Sequence, residues 1–346
     1  MITRTGNKSL WLKLAALCCL VFFAGAMSAG AGALKMKFSH QNNVYDADQL
    51  LAETFKKIIE EKTNGDLSIT IYPGTLTTSE EEAIEFIKSG TIDLDTNSAG
   101  HIAGFYDDIQ FLQLPYLFKS PAHYNVARQS GVVKEILSEV SKATGLIALG
   151  IYSDCNGFGI ATTKPINSIA DTKGIKLRCM QNPLFIDVYE AFGFTVTPTD
   201  WGELYTSLQT GLVNANDLGC YCQYVFKLKE VITSFAVLRQ MWTQKILMVS
   251  PVTWAKLTDA QKKLVREVAN EAIELTDAWQ YAREKEYLEV AKKEGYKITY
   301  PDTEPFKKAS QKVYDKWFKS HPRWQGWYEQ IQYLDPDARM PAASMK

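Results

Sequence analysis

The sequence predicts a two-lobed α/β protein, and three observations carry that prediction. From Lys35 onward, short strand-like runs alternate with longer runs of helical periodicity, the pattern of a sheet flanked by helices. The alternation occurs in two blocks of similar size on either side of Asn156. One amphipathic run near the C-terminus is long enough to brace both blocks. A chain of 346 residues, 46% apolar and 22% charged, supplies material for two cores and excludes collagen-like, low-complexity and wholly disordered readings.

In the first block Met36 to His40 reads as a strand and Asp46 to Lys62 as a helix, with Leu50, Leu51, Phe55, Ile58 and Ile59 at helical spacing. Leu67 to Tyr72 is a second strand. Ser79 to Ser89 is a helix opened by a Ser-x-x-Glu capping box at Ser79 and Glu82, and Ile92 to Thr96 a third strand. Val126 to Lys142 continues as one helix and Leu146 to Tyr152 as a buried strand. The second block offers strands at Gly159 to Thr162, Ile175 to Arg178, Thr195 to Thr197 and Val213 to Asp217, with helices at Leu184 to Phe192 and Gly202 to Thr210. The apolar continuity of Lys245 to Val252 suits a strand that returns to the first sheet. Thr258 to Glu294 opens on a Thr-x-x-Gln box and carries Leu264, Val268, Ala272, Leu275 and Trp279 at steps of three and four, one helix roughly 50 Å long at 1.5 Å per residue.

The expected boundaries are a signal peptide over 1–33, a first lobe over 34–156 plus 247–275, a second lobe over 157–246 plus 276–334, and a loose tail over 335–346. The leader is read from the basic residues Arg4, Lys8 and Lys13, the apolar run Leu14 to Phe23 and the small-residue sites around Ala29 to Ala33. That run is too short to span a bilayer. Taking its three basic residues from the 38 leaves 35 against 39 acidic residues, a mildly acidic chain that is a poor nucleic-acid binder. The remaining cysteines, Cys155, Cys179, Cys220 and Cys222, allow three pairings, or stay as thiols; the single residue between Cys220 and Cys222 is too few for a zinc site.

Catalytic signatures are missing from the sequence. His40, His101, His123 and His321 are scattered, and neither a phosphate-binding P-loop nor a G-x-S-x-G serine elbow occurs. Gly157-Phe-Gly159 is half a dinucleotide fingerprint and opens no helix. No metal and no cofactor are therefore expected. A secreted two-lobed chain without catalytic machinery implies a cleft that closes on a small molecule, and a binding protein in preference to an enzyme.

Two stretches sharpen this reading. Asp171-Thr-Lys-Gly-Ile-Lys-Leu-Arg178 and Gly202-Glu-Leu-Tyr-Thr-Ser-Leu-Gln-Thr-Gly-Leu-Val-Asn-Ala-Asn-Asp217 resemble the diagnostic core of the DctP-type substrate-binding proteins of TRAP transporters, and Leu114-Pro-Tyr-Leu-Phe118 and Gly145 to Pro165 fit the same pattern. The resemblance runs from about Lys35 to beyond Trp327. It implies a Venus-flytrap fold with hinge strands, a periplasmic monomeric receptor for an organic acid, and delivery to small and large membrane subunits driven by an ion gradient. The alternatives are the receptor of an ABC importer, which shares the architecture but not these motifs, and a secreted enzyme acting on a small acid.

By position Arg178 matches the family's carboxylate-binding arginine, and a planar guanidinium at a strand end suits a bidentate pair with a carboxylate. Two departures bear on the ligand. The stretch Asn156-Gly157-Phe158-Gly159 lacks the second arginine of sialic-acid-type members, and Leu218 stands where many members have an asparagine. Loop positions nominate further wall residues: Asn43 and Tyr45 after the first strand, Asn97 after the third, Asn156 at the hinge, Trp201, Asn216, Asp217 and Tyr221 in the second lobe, and Trp242 before the return strand. Each has a packing or capping alternative.

Overall fold

The computed structural model describes residues 33–77, 79–155 and 159–336, so most of the expected leader and most of the expected tail lie outside the described residues, as does Asn156. Two sheets organise the chain. The first has five strands in the order β2-β1-β3-β10-β4. It starts from β1 (Leu34–His40), α1 (Ala47–Lys62), β2 (Leu67–Pro73), α2 (Glu80–Ser89) and β3 (Leu94–Ser98), the βαβαβ unit expected, with β1 parallel to both β2 and β3. Ser79 caps α2 by accepting from the Glu82 amide, and Gly90 closes it at φ 77°, a left-handed turn that glycine adopts without strain.

The predicted helix over Val126 to Lys142 is two helices. After the short α3 (Ala99–Ile102), α4 (Pro121–Ala127) ends before Arg128 and α5 (Gly131–Thr144) restarts at Ser130, whose hydroxyl accepts from the Val133 amide. A new cap outcompetes continuation there, and Arg128 turns inward to meet Glu274 at 3.1 Å and Asp277 at 3.6 Å. The first sheet is completed by β4 (Ile147–Cys155) and, much later in the chain, by the antiparallel return strand between β3 and β4.

The second sheet has six strands, β11-β9-β5-β8-β6-β7. Its members β5 (Ile160–Thr162), β6 (Lys176–Cys179), β7 (Thr195–Pro198) and β8 (Ala215–Asn216) follow the reading, except that β8 is two residues long and not five. Asn216 explains the shortening, because its Oδ1 accepts from the Leu218 amide and turns the chain out of the ladder. Around these strands lie α6 (Pro183–Ala191), α7 (Leu204–Gln209) and α8 (Cys220–Val225). The strand β9 (Ser234–Ala236) was not anticipated, since three residues show no period. The return strand β10 (Thr243–Val249) lies wholly in the first sheet, buried along its full length.

After α9 (Pro251–Lys256) comes α10 (Asp259–Lys293), the long helix, with the reciprocal Thr258–Gln261 capping box formed. It packs on α1 and β4 of the first lobe and on α8 and β11 (Lys297–Thr299) of the second. Its buried stripe is rotated from the predicted one. Leu275 is 52% exposed, while Val265, Val268, Ala269, Ala272, Ile273 and Thr276 face inward. The helices α11 (Glu304–Ser320) and α12 (Arg323–Gln332) close the fold, and α12 ends against the first lobe, where Trp324 donates to Asp108 at 2.5 Å and Trp327 to Glu135 at 3.3 Å. Cys179 and Cys220 are buried free thiols.

The helix α10 also grips a strand that joins the lobes. Asp277 Oδ1 accepts from the Ser153 amide at 2.9 Å, and the Gln280 side chain donates to the Ser153 carbonyl. Removing one partner from such a buried ionic cluster leaves the other uncompensated. Asp277→Ala is therefore expected to lower stability by about 3 kcal/mol in denaturant unfolding, whereas an exposed pair on the same helix, cut by Glu286→Ala, should cost less than about 1 kcal/mol.

Candidate ligand-binding cleft

A cavity of about 610 Å³ opens between the two sheets. Its second-lobe wall is built at the C-terminal ends of β6 and β8. Arg178, third residue of β6, is 4% exposed, and its Nε donates to the Thr199 carbonyl at 3.0 Å. That single bond fixes the plane of the guanidinium and leaves both terminal nitrogens without a partner among the described residues. Around it stand Trp201, whose ring centroid lies 5.9 Å from the guanidinium carbon, Phe226, packed edge-on to Trp201 at 4.7 Å, and Leu218 and Met180. The wall is an apolar shelf with one buried cation, bordered by the polar Gln181, Thr199 and Asp200.

Asp217 lies beside it, 2% exposed and lining the same cavity. Burial raises its carboxyl to about 6, against the pull of Arg178 and a hydrogen bond from Tyr189. No ion-pair contact joins it to Arg178 among the described residues, so the guanidinium is held near an acid without being consumed by it.

The first-lobe wall is polar throughout. His101 contacts Glu80 at 3.0 Å and Glu81 at 3.5 Å. Burial pushes Glu80 up, but the hydrogen bond and charge of His101 outweigh it and the carboxyl ends below its usual range; burial likewise opposes, and Glu80 overcomes, a raised His101. Behind Asn42 lies a denser cluster. Lys245 Nζ sits 2.6 Å from Asp48 and 4.0 Å from Asp154; Tyr152 donates to Asp48, and Asn42 donates to Asp46 and, at 3.1 Å, to Asp48. Asp46, Asp48 and Asp154 are close enough to share a cation, and the ammonium of Lys245 supplies that charge from within the chain. Burial and the neighbouring carboxylates raise Asp46 to about 8; burial, opposed by Lys245, raises Asp154 to about 6. Burial lowers Lys245, but Asp154, Asp48, Asp46 and Glu80 more than reverse it.

Of the residues nominated from sequence, the structure brings Arg178, Asp217 and Trp201 together in this cavity. The others that the structure describes are placed elsewhere. Asn216 is buried in exchange of hydrogen bonds with Gln223 and caps Leu218; Asn97 is buried on β3 and donates to Asp95 at 3.2 Å. Asn43 forms a local turn by accepting from the Tyr45 amide, and the Tyr45 side chain is 72% exposed. Tyr221 crosses between the lobes, its hydroxyl donating to the Tyr45 carbonyl while its ring packs on Trp279 and Tyr287. Trp242 stacks on Tyr124 at 4.9 Å and lines a separate cavity of about 530 Å³ beside α10. Nomination by loop position missed these because it could not tell which way each side chain leaves the backbone. It also missed Lys245, Asp154, Asn42, Glu80 and His101. For Lys245 a signal existed: a lysine inside an otherwise apolar strand demands a buried partner.

The lobes touch across the cavity mouth. A Cβ added at Gly100 would stand 2.5 Å from Met180 Sδ, so the first-lobe backbone approaches the second as closely as glycine permits. Two sheets with a long shared helix, crossing strands and a cleft carrying one buried, unspent guanidinium are the geometry of a solute receptor. Residues 38–321 match the bacterial extracellular solute-binding protein family 7, DctP.

The chain belongs to the DctP family. It is 29% identical over 321 residues to YiiZ of Salmonella typhimurium, covering 92% of this chain and 95% of that protein. It is 26% identical over 298 residues to the sialic acid-binding periplasmic protein SiaP of Vibrio cholerae, covering 85% and 91% respectively. A TRAP periplasmic solute-binding protein from Pseudomonas putida F1, solved with bound D-glucuronate, superposes with a TM-score of 0.80 at 25% identity, over 87% of this chain and 98% of that one. DctP proteins are periplasmic receptors of small carboxylates that serve TRAP membrane subunits.

The raised carboxyls fix a pH dependence. Asp154 and Asp217 hold their protons to about pH 6 and Asp46 to about pH 8, each from an ordinary value of 3.8, so the folded state binds more protons than the unfolded one across that window. Stability then falls as pH rises; His40 and His123, lowered by burial, oppose the trend. The ligand-free protein is expected to melt at a higher temperature at pH 5 than at pH 8, and Asp46→Asn should narrow the gap by raising the pH 8 value. A melting temperature that climbs from pH 5 to 8 would contradict the assignment of the cluster.

Proposed function

We propose that this DctP protein is the monomeric, non-enzymatic receptor of an ion-gradient-driven TRAP carrier, and that its ligand is a hydroxylated monocarboxylate of the sugar-acid class. In this reading residues 1–33 direct export and are removed, and the loaded receptor delivers its ligand to the small and large membrane subunits. The observation that carries the reading is Arg178: a guanidinium 4% exposed, oriented by Thr199, with its two terminal nitrogens unspent inside a cleft. A carboxylate accepts two parallel hydrogen bonds from that fork.

The rest of the cavity supports one carboxylate and several hydroxyls. The second lobe supplies a single cation on an apolar shelf, and the first lobe supplies alternating donors and acceptors from Asn42, Glu80, His101, Asp154 and Lys245. In each charged cluster of the first-lobe wall the acids outnumber the base, so a second ligand carboxylate has no free cation to meet. The D-glucuronate held by the Pseudomonas putida relative has this chemistry. Sialic acid is disfavoured because Gly159 stands where sialic-acid-type members carry the second arginine.

The test is a thermal-shift and calorimetric screen of refolded, ligand-stripped protein against D-glucuronate, D-galacturonate, L-gulonate, succinate and amino acids. A ligand bound only by the native state raises its melting temperature. Sugar acids should stabilise the protein, and Arg178→Ala should weaken them on the order of 100-fold, about 3 kcal/mol. Stabilisation that survives the substitution would make Arg178 a structural residue, and selection of succinate would overturn the monocarboxylate class.

A further inference from the structure

The strand β10 presents two polar groups to the cleft whose hydrogen-bonding capacity the protein itself leaves unused. Thr243 and Lys245 are two residues apart and therefore share a face of the strand, and both line the cavity. The Thr243 hydroxyl is buried with no partner among the described residues, on a residue 3% exposed. An ammonium carries three donors. Lys245 uses one on Asp48 at 2.6 Å, and Asp154 at 4.0 Å lies beyond hydrogen-bond reach. Buried donors without acceptors are costly, and in native proteins such groups meet water, an ion or a ligand.

We infer that Lys245 and Thr243, with Asp154 from the adjoining strand, form a second ligand subsite that binds the hydroxyl-bearing end of the sugar acid, opposite the carboxylate held by Arg178. This assignment rests on the sugar-acid reading above. Lys245 donates to a ligand hydroxyl oxygen, Asp154 accepts from a neighbouring hydroxyl, and Thr243 does either. Lys245 pairs across the ladder with Tyr152 and Thr243 with Cys155, so the subsite sits on β10 and β4, the strands that carry the chain between the lobes. A ligand bound here and on Arg178 spans the hinge and ties its strands to the second lobe, which makes Lys245 a determinant of which carboxylates close the cleft. The Asp48 carboxylate, by contrast, does not line the cavity and only balances the charge of Lys245 from behind, the strand β10 holding Lys245 in place.

Calorimetry with D-glucuronate, D-galacturonate and L-gulonate on the full receptor tests the assignment through three variants. Arg178→Ala reports on the carboxylate reading alone. Lys245→Met should weaken the sugar acids at least 30-fold, while Asp48→Asn, which removes the ion pair but keeps the ammonium, should stay within about five-fold of the native affinity. Equal losses in Lys245→Met and Asp48→Asn would show that the pair acts structurally and would overturn the subsite. So would native affinity in Lys245→Met, with the carboxylate reading left standing if Arg178→Ala has lost binding. If Lys245→Met does not fold, Lys245→Arg keeps the charge beside Asp48 but displaces the donors, and the same 30-fold loss is expected of it; near-native binding by that variant overturns the subsite. Failure of all three acids to bind the native protein removes the sugar-acid reading and the subsite with it.

Discussion

The arrangement of this receptor depends on keeping a guanidinium buried without neutralising it. Moving Arg178 into a site 4% exposed is costly, and burial accordingly lowers its hold on its proton, with Asp217 the first of the groups that compensate. The Thr199 carbonyl orients it, Trp201 covers it, and the acid nearest to it is raised to about 6 and thus weakened as a competitor near neutral pH. In the proposed reading the cost is recovered when a carboxylate enters and both terminal nitrogens are used. The β6–β8 edge, the Asn216 turn that shortens β8 and places Asp217, and the apolar shelf all follow from that requirement.

On the opposite wall the same problem is solved in reverse. Three carboxylates are gathered around one ammonium, and the surplus negative charge is relieved by raising Asp46 and Asp154. The two charges sit on different sheets, Lys245 on β10 of the first and Arg178 on β6 of the second. The shared helix α10, with Asp277 and Gln280 on the Ser153 backbone, holds the strand that bridges them.

Much of the fold was legible in the sequence because its elements announce themselves locally. The capping pairs Ser79–Glu82 and Thr258–Gln261 placed helix starts to the residue, and the apolar return strand was assigned to the first sheet from its continuity alone. What failed was settled by tertiary contacts. The break at Ser130 depends on Arg128 finding Glu274 and Asp277, and β9 and β11 are three residues each, too short for any period. The site divides the same way. Arg178 sits at the end of a motif whose resemblance names it, and Asp217 and Trp201 were reached by loop position, while Asn97, Asn216, Tyr221 and Trp242, nominated in the same way, are polar or aromatic residues absorbed by partners the sequence could not reveal. Lys245 was passed over because its strand reads as core.

The measurement that bears most directly on this account is a crystal structure of the receptor with the sugar acid that stabilises it most. The account predicts one ligand between the lobes, its carboxylate oxygens within hydrogen-bond reach of both Arg178 terminal nitrogens and its hydroxyls toward the first-lobe wall. A ligand seated in the cavity beside Trp242, or one in the cleft with its carboxylate turned away from Arg178, would contradict it.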